Sequence, residues 1–207
     1  MDSNSYFNQV ANQWDEMRGR FFSDKVREKA LTIAGVRSGR LAADIGCGTG
    51  FITGSLIAAG LCVIAVDQSA AMLTQMREKF PGTPGIDFRL TEMARLPVAC
   101  ESVDFVFANM YLHHVDAPET AICEMARILK PEGRLVITDL DAHEFTFLRD
   151  EHHDRWLGFE REKVKRWLAA AGLRQVSISS IDETCCTTSN NREDVAQISI
   201  FAAFGQK

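Results

Sequence analysis

The sequence predicts an α/β fold built on an open, largely parallel β-sheet. Short apolar runs recur along the 207 residues, segments with helical spacing lie between them, and no internal repeat or Pro/Gly/Ser linker divides the chain. Strands that alternate with helices form right-handed βαβ units, whose sheet is covered by helices on both faces. We therefore expect residues 39–207 to form a single compact domain, preceded by a helical cap at residues 1–38.

The central part of the chain supplies five of the expected strands and three of the expected helices. The apolar runs predict strands at Leu41–Ile45, Leu61–Val66, Ile86–Leu90, Val103–Ala108 and Arg134–Leu140. Helical spacing predicts helices at Phe51–Ala59, Ala70–Phe80 and Pro118–Lys130. Asp116 and Glu119 have the spacing of a capping box at the start of the last helix.

The two ends of the chain add a cap and a hairpin to this core. Apolar residues recur at helical spacing over residues 7–17 and again over residues 26–33, which predicts two helices in the cap. Near the other end, residues 164–172 predict a further helix. Strands at Val176–Ile181 and Gln197–Phe204 follow, joined by the polar loop SNNRED, and this arrangement indicates an antiparallel hairpin.

Composition disfavours several classes of protein. The 28 acidic and 23 basic residues give a net charge of −5, which argues against a nucleic-acid partner because such proteins usually present a basic face. No apolar run approaches the ~18 residues of a transmembrane helix, and the polar start MDSNSYFNQV is unlike a signal peptide. The six cysteines include no CxxC pair, which indicates reduced thiols and no bound metal. We expect a cytoplasmic protein without a membrane span.

A glycine-rich loop follows the first expected strand. The residues Asp44-Ile45-Gly46-Cys47-Gly48-Thr49-Gly50 end this strand and open the first helix of the core. Glycines let the backbone turn sharply and let a ligand approach the main chain. Asp67 follows the second strand, 17 residues after Gly50, where a carboxylate can accept hydrogen bonds from both ribose hydroxyls. These two features predict a cofactor that contains a nucleoside.

The spacing within the loop distinguishes between cofactors. A dinucleotide fold uses G-x-G-x-x-G/A, whereas this loop has G-x-G-x-G, with Phe51 where the third small residue belongs. An acidic residue beside the loop, here Asp44, would repel a pyrophosphate but would suit a cationic amino-acid group. The pattern therefore favours S-adenosylmethionine (SAM) over a nicotinamide dinucleotide.

Five runs in order along the chain resemble one family. They are ADIGCGTG (43–50), VDQS (66–69), LTEMARLP (90–97), ANMYLHHV (108–115) and ILKPEGRLVITD (128–139). They are similar to class I SAM-dependent methyltransferases, and most of all to the UbiE-like subgroup. The segment RWLGF (155–159) and the EHH before it resemble, more loosely, methyltransferase domains fused to ArsR-type regulators.

The resemblance implies a Rossmann-like, seven-stranded, mostly parallel sheet that ends in an antiparallel hairpin. It also implies methyl transfer from SAM to a small-molecule acceptor, with S-adenosylhomocysteine (SAH) as the product. In this view Gly46, Cys47 and Gly48 pass under the methionine and ribose, Asp44 holds the amino group directly or through water, and Asp67 binds the ribose diol. The expected adenine and methionine contacts are Gln68, Met72, Glu92, Met93 and Asn109. Trp14 in the cap would stabilise the sulfonium by cation–π attraction.

Two residue pairs are candidates for binding the acceptor or for catalysis on it. His113 and His114 follow the fourth strand, where one of them would touch the acceptor or act as a general base, unless both only bond to the backbone. Cys185 and Cys186 lie just beyond the expected sixth strand. They would bind a thiophilic atom such as trivalent arsenic, form a redox-sensitive disulfide, or simply pack as reduced thiols. Arsenite methylation and a non-catalytic SAM-binding regulator are therefore the alternative functions.

Overall fold

The computed structural model describes residues 3–91, 95–191 and 193–207, and in this part of the chain seven strands form one sheet. The strands are β1 (Leu41–Ile45), β2 (Cys62–Asp67), β3 (Ile86–Leu90), β4 (Val103–Asn109), β5 (Leu129–Leu140), β6 (Arg174–Thr188) and β7 (Val195–Gln206). Their order in the sheet is β3-β2-β1-β4-β5-β7-β6, with β1 to β5 parallel and β7 antiparallel to both of its neighbours. The predicted α/β fold with a terminal antiparallel hairpin is confirmed.

Helices cover both faces of this sheet. They are α1 (Ser3–Val10), α2 (Trp14–Phe21), α3 (Lys25–Ala34), α4 (Phe51–Ala58), α5 (Ala70–Lys79), α6 (Pro118–Ile128), α7 (Phe147–Glu151) and α8 (Arg161–Ala170). Successive strand residues point to opposite faces, so Ala42 packs with α3 and α4 whereas Ala43 packs with α6 and α8. The two apolar layers hold the carboxyl ends of β1, β2 and β4 side by side at one edge of the sheet.

Three boundaries differ from the sequence prediction. Helix α6 ends at Ile128, because Leu129 already pairs with Val103 as the start of β5. The predicted capping box is wrong: the residue before α6 is Ala117, which makes no side-chain cap, and the Asp116 carboxylate forms an ion pair with Arg155 instead. Strand β6 runs seven residues past the predicted end, to Thr188, because long-range pairing with β7 continues there.

The N-terminal helices have two different environments. Helix α3 belongs to the core, with Val26 and Ala30 buried against the sheet. Helices α1 and α2 instead lie over the glycine loop and the start of α5. Asn8 Oδ1 accepts a hydrogen bond from the Ser69 hydroxyl (2.7 Å), and Asp15 Oδ1 accepts one from the Thr49 hydroxyl (2.6 Å). Among the described residues, no helix is both long and apolar enough to cross a membrane.

Candidate active site

A cavity of about 570 Å³ opens at the carboxyl ends of β1, β2 and β4. Its volume lies in the range that binds small molecules and cofactors, ~300–1,000 Å³. Helices α1 and α2 form one wall, and the glycine loop and the segment after β4 form the others. The predicted site residues on its wall are Trp14, Gly46, Cys47, Gly48, Asp67, Gln68, Met72, Asn109 and His114.

The glycine loop turns in a conformation that requires glycine. Gly46 and Gly48 have φ angles of +67° and +51°, in the left-handed region that side chains disfavour. The backbone N–H groups of Gly46 and Cys47 donate to the carbonyl oxygen of Val66 (2.9 and 3.1 Å), which ties the end of β1 to β2. A Cβ atom on Gly46 would overlap the ring of Tyr111, so this close packing also requires glycine.

Asp67 supports this loop and faces the cavity. Its Oδ2 accepts the backbone N–H of Gly48 and its Oδ1 accepts that of Ser69, both at 2.8 Å. The side chain is almost completely buried, and burial raises the pKa of its carboxyl group despite these bonds. A carboxylate has about four lone-pair sites, so each oxygen of Asp67 retains the capacity to accept a further hydrogen bond from a ligand hydroxyl.

Asp44 has a different place from the one expected. The described lining of the cavity does not include it, and its Oδ2 accepts both the backbone N–H (3.0 Å) and the hydroxyl (2.6 Å) of Thr53. Complete burial raises the pKa of its carboxyl group to about 7. Asp44 thus anchors the first turn of α4 behind the loop, because β1 points its side chain into the protein rather than toward the cavity.

The remaining expected cofactor contacts are spread around the wall. Met72 is buried in the first turn of α5, while Gln68 is exposed, with its Nε2 3.5 Å from the Ser3 hydroxyl. Asn109, at the end of β4, accepts a hydrogen bond from the Thr138 hydroxyl through Oδ1 (2.7 Å). Glu92 and Met93 lie outside the described residues.

An aromatic group from the cap covers the loop. The Trp14 ring lies over Gly48, where a Cβ atom would be 3.5 Å from the indole Nε1. Phe7 meets Trp14 edge-on at 5.3 Å between ring centroids and meets His114 edge-on at 5.0 Å. The cap therefore places the rings of Phe7 and Trp14 over this part of the cavity, with the indole Nε1 nearest to Gly48.

Arg18 and Tyr111 are among the wall residues that sequence reasoning missed. The Nε and Nη1 atoms of Arg18 are buried and have no hydrogen-bond partner among the described residues, and its Cζ lies 4.2 Å from the centroid of the Phe51 ring. Tyr111 packs on Gly46, and burial together with the charge of Asp67 raises its pKa to about 12. Tyr111 adjoins the predicted histidines in the sequence, whereas nothing local distinguishes Arg18 from the other charged residues of α2.

The two adjacent histidines occupy different positions. His114 belongs to the wall of the cavity, whereas His113 is buried behind it, with Nδ1 2.6 Å from Asp139 Oδ1. Burial favours neutral His113, but the charges of Asp139 and Asp154 dominate and raise its pKa to about 9. Burial and the neighbouring charge of His113 hold the pKa of His114 well below its usual range.

A second, smaller cavity of about 60 Å³ adjoins the first and shares Phe7, Trp14, Phe22, Met110 and His114 with it. Cys185 lies on its wall, and burial with the nearby charge of Asp154 raises the pKa of this thiol to about 12. Cys186 is the next residue of β6, so its side chain points to the opposite face, where its Sγ lies 3.4 Å from the Thr184 hydroxyl. The pair lies within the strand rather than beyond it, and the structure does not direct both thiols at one ligand.

Comparison with known proteins finds similarity over the strands and loops that form this site. A family model described as a methyltransferase domain matches residues 43–137, from β1 to β5. Over these residues the chain is similar to the methyltransferase domain family. The methyltransferase domain match includes the glycine loop, Asp67, Asn109 and both histidines. Trp14, Arg18 and Cys185 lie outside it.

Similar proteins and solved structures are also named as methyltransferases. The demethylmenaquinone methyltransferase of Tropheryma whipplei is 33% identical over 136 residues, which cover 64% of this chain and 56% of that protein. The malonyl-[acyl-carrier protein] O-methyltransferase of Methylococcus capsulatus is 38% identical over 98 residues, 46% of this chain and 35% of that protein. The chain thus spans about half or less of the length of these relatives. A SAM-dependent methyltransferase from Aquifex aeolicus has the same fold, with a TM-score of 0.70, 22% identity, and coverage of 96% of this chain and 97% of that one.

Proposed function

We propose that this chain transfers a methyl group from SAM to a small-molecule acceptor and releases SAH. The observation that carries the proposal is the position of Asp67, a buried carboxylate that holds the glycine loop open and retains acceptor capacity toward a cavity of about 570 Å³. The methyltransferase domain match and the relatives named above support the same activity.

Several residues would each bind a different part of SAM. Asp67 would accept hydrogen bonds from the ribose hydroxyls, and the Gly46–Gly48 backbone would lie beneath the ribose and methionine. Gln68 and Met72 would border the adenine, and Asn109 the methionine. Arg18 brings unpaired guanidinium N–H groups to the same wall, which suits the carboxylate of the methionyl group.

The sulfonium carries the chemistry, so this chain would mainly align the reactants and exclude water. The acceptor atom attacks the methyl carbon in line as the bond from that carbon to sulfur breaks, and SAH leaves with the electron pair. Holding two reactants in such a geometry can lower the barrier by ~7–11 kcal/mol. The rings of Phe7 and Trp14 would exclude water from the methyl group, and the Trp14 face would attract its positive charge.

The acceptor would be a small molecule that approaches beside His114. This residue lies on the walls of both cavities, so an acceptor that extends from the larger toward the smaller one must pass it. His114 would touch the acceptor or receive its proton, while His113, bonded to Asp139, would act only through its neighbour. The two relatives are named for different acceptors, demethylmenaquinone and malonyl-[acyl-carrier protein], so their names do not select one for this chain.

Methyl transfer from isotope-labelled SAM tests the proposal. The chain is incubated with phenols, quinols, amines and arsenite, and separately with RNA and with protein, and SAH and labelled products are measured by mass spectrometry. We expect a labelled small molecule and an equal amount of SAH. Label in RNA or protein would overturn the small-molecule acceptor, and absence of SAM binding in calorimetry would overturn the cofactor. Tight binding of SAM and SAH without turnover on any acceptor would instead indicate a regulator.

A further inference from the structure

Three polar side chains meet at the end of the small cavity. His113, His114 and Asp154 each offer one ligand atom, and these atoms lie within 4.8 Å of one another. The Oδ1 atom of Asp154 lies 3.8 Å from His113 Nε2 and 3.8 Å from His114 Nδ1, and none of the three side chains is more than 11% exposed. We infer that these residues bind one divalent transition-metal ion of the Zn²⁺ class.

The carboxylate of Asp154 is the observation that points to a ligand. It is buried, with 6% of the residue exposed, and its two described side-chain partners are the imidazoles of His113 and His114, each at an ion-pair distance of 3.8 Å. Its distances to the two imidazoles are too long for hydrogen bonds. A buried carboxylate needs a compensating positive charge, which charged His113 supplies at 3.8 Å in the metal-free protein and a bound cation would supply at closer range. The gap between its oxygen and the two ring nitrogens is where a cation would lie.

Asp139 orients His113 for this role. The Nδ1–H of His113 donates to Asp139 Oδ1 (2.6 Å), and Asp139 is itself fixed by the backbone N–H groups of Leu112 (2.9 Å) and Leu140 (2.8 Å). Because Asp139 holds the proton on Nδ1, a metal would displace the second proton of charged His113 from Nε2, on the side of Asp154. A carboxylate–histidine pair of this kind is the usual support of a metal-binding imidazole.

His114 can supply the second nitrogen. Its Nδ1 faces two acceptors, the carbonyl oxygen of His153 at 3.4 Å and Asp154 Oδ1 at 3.8 Å, so a metal would replace the proton that Nδ1 donates there. The tautomer with the proton on Nε2 exposes the Nδ1 lone pair toward Asp154. The ring is held edge-on against Phe7, so it needs little reorientation to act as a ligand.

The distances fit a small ion after a modest adjustment. Because the three ligand atoms lie within 4.8 Å of one another, a point exists that is within about 2.8 Å of all three. Zn–N and Zn–O bonds are ~2.0–2.2 Å long, so side-chain shifts below about 1 Å would bring the three atoms to bonding distance. Two imidazoles and one carboxylate favour Zn²⁺, Fe²⁺, Co²⁺ or Ni²⁺ over the oxygen-binding Mg²⁺ and Ca²⁺. Three protein ligands leave a coordination position free toward the cavity.

Titration of untagged, chelator-treated protein with Co²⁺ tests the site through the visible absorption of the ion. We expect one Co²⁺ per chain, displaced by Zn²⁺ and not by Mg²⁺. Asp154→Asn and His113→Gln should each weaken Co²⁺ binding at least tenfold, and Asp139→Asn, which removes only the support of His113, should weaken it ~10–100-fold. His152→Gln is the matched control, because His152 lines the same cavity but its Nδ1 faces the Tyr6 hydroxyl at 3.3 Å. This control should bind Co²⁺ like the wild type.

X-ray absorption of the Zn²⁺-loaded wild type provides a readout that no variant can confound. We expect scattering from two imidazole rings and no sulfur ligand. Substoichiometric Co²⁺ binding, binding retained by Asp154→Asn, or a sulfur shell from a cysteine would each overturn the assignment. Because metal binding is measured without SAM, its failure would leave the proposed methyl transfer untouched, and circular dichroism with thermal unfolding shows separately whether each variant remains folded.

Discussion

Replacement of Asp67 by alanine is the sharpest test of the proposed cofactor site. The substitution removes a carboxylate whose two oxygens each accept a backbone N–H at 2.8 Å, from Gly48 and from Ser69. It also removes the group that would bind the ribose hydroxyls. The effect therefore has two components, one on the stability of the loop and one on the affinity for SAM.

The magnitude follows from the number of hydrogen bonds. A hydrogen bond to a charged group contributes ~1.5–3 kcal/mol, and Asp67 is too buried for solvent to screen it. Loss of one ribose contact should weaken SAM binding about tenfold, and loss of two about a hundredfold or more. The loop component is smaller than its two bonds suggest, because burial already disfavours the charged carboxylate, as the raised pKa of Asp67 shows.

Titration calorimetry with SAM and SAH measures the affinity, and Ser69→Ala is the control. The Ser69 hydroxyl accepts the backbone N–H of Met72 (3.1 Å) and donates to Asn8 Oδ1 (2.7 Å), so its loss should cost ~1 kcal/mol of stability without removing a ribose contact. We expect Ser69→Ala to bind SAM within about threefold of wild type. Unchanged affinity in a folded Asp67→Ala variant would refute the assignment. An equal loss in Ser69→Ala would show that loop stability, rather than the carboxylate, controls binding.

Three further substitutions or reactions test single features of the site. Arg18→Ala should weaken SAM binding about tenfold yet leave 5′-methylthioadenosine, which lacks the carboxylate, unaffected in the same calorimetric assay; equal losses would contradict the carboxylate role. The pKa of Asp44 is about 7 in the folded protein, against an ordinary value of 3.8. Between about pH 4 and 7 the folded protein therefore keeps a proton that the unfolded chain has lost, so this group lowers the free energy of unfolding as pH rises. In urea unfolding, Asp44→Asn should therefore gain stability relative to wild type across that interval, and a gap that shrinks with rising pH would contradict the interpretation. Iodoacetamide should label Cys186 well before Cys185, whose thiol has a pKa of about 12, as peptide mass spectrometry can follow; the reverse order would contradict the placement of the two side chains in β6.

Much of the candidate cofactor site could be predicted because its parts follow one another locally. Gly46 and Gly48 end β1, and Asp67 ends β2, the neighbouring parallel strand, so strand order alone brings the carboxylate to the loop. The same reasoning placed Asp44 beside the ligand, which the structure does not support. Whether a residue at the end of a strand faces the cavity or the core depends on the side to which the pleat directs it, and for Asp44 that side is Thr53.

The other groups at the site depend on contacts between distant segments. Asp139 reaches His113 because β5 pairs with β4, and Asp154 comes from the segment after α7. Arg18 reaches the cavity only because α2 docks over the glycine loop. No periodic pattern in the sequence predicts these contacts.

The sequence by itself determined the α/β class, the parallel core, the terminal hairpin and the glycine loop with its carboxylate, because periodicity and loop chemistry are local properties. Only the tertiary structure decided the length of β6, and with it the opposite directions of Cys185 and Cys186, because pairing with β7 extends the strand through both residues. Only the tertiary structure likewise brought His113, His114 and Asp154 together, because burial of a polar group and its distance from a partner depend on how the layers pack.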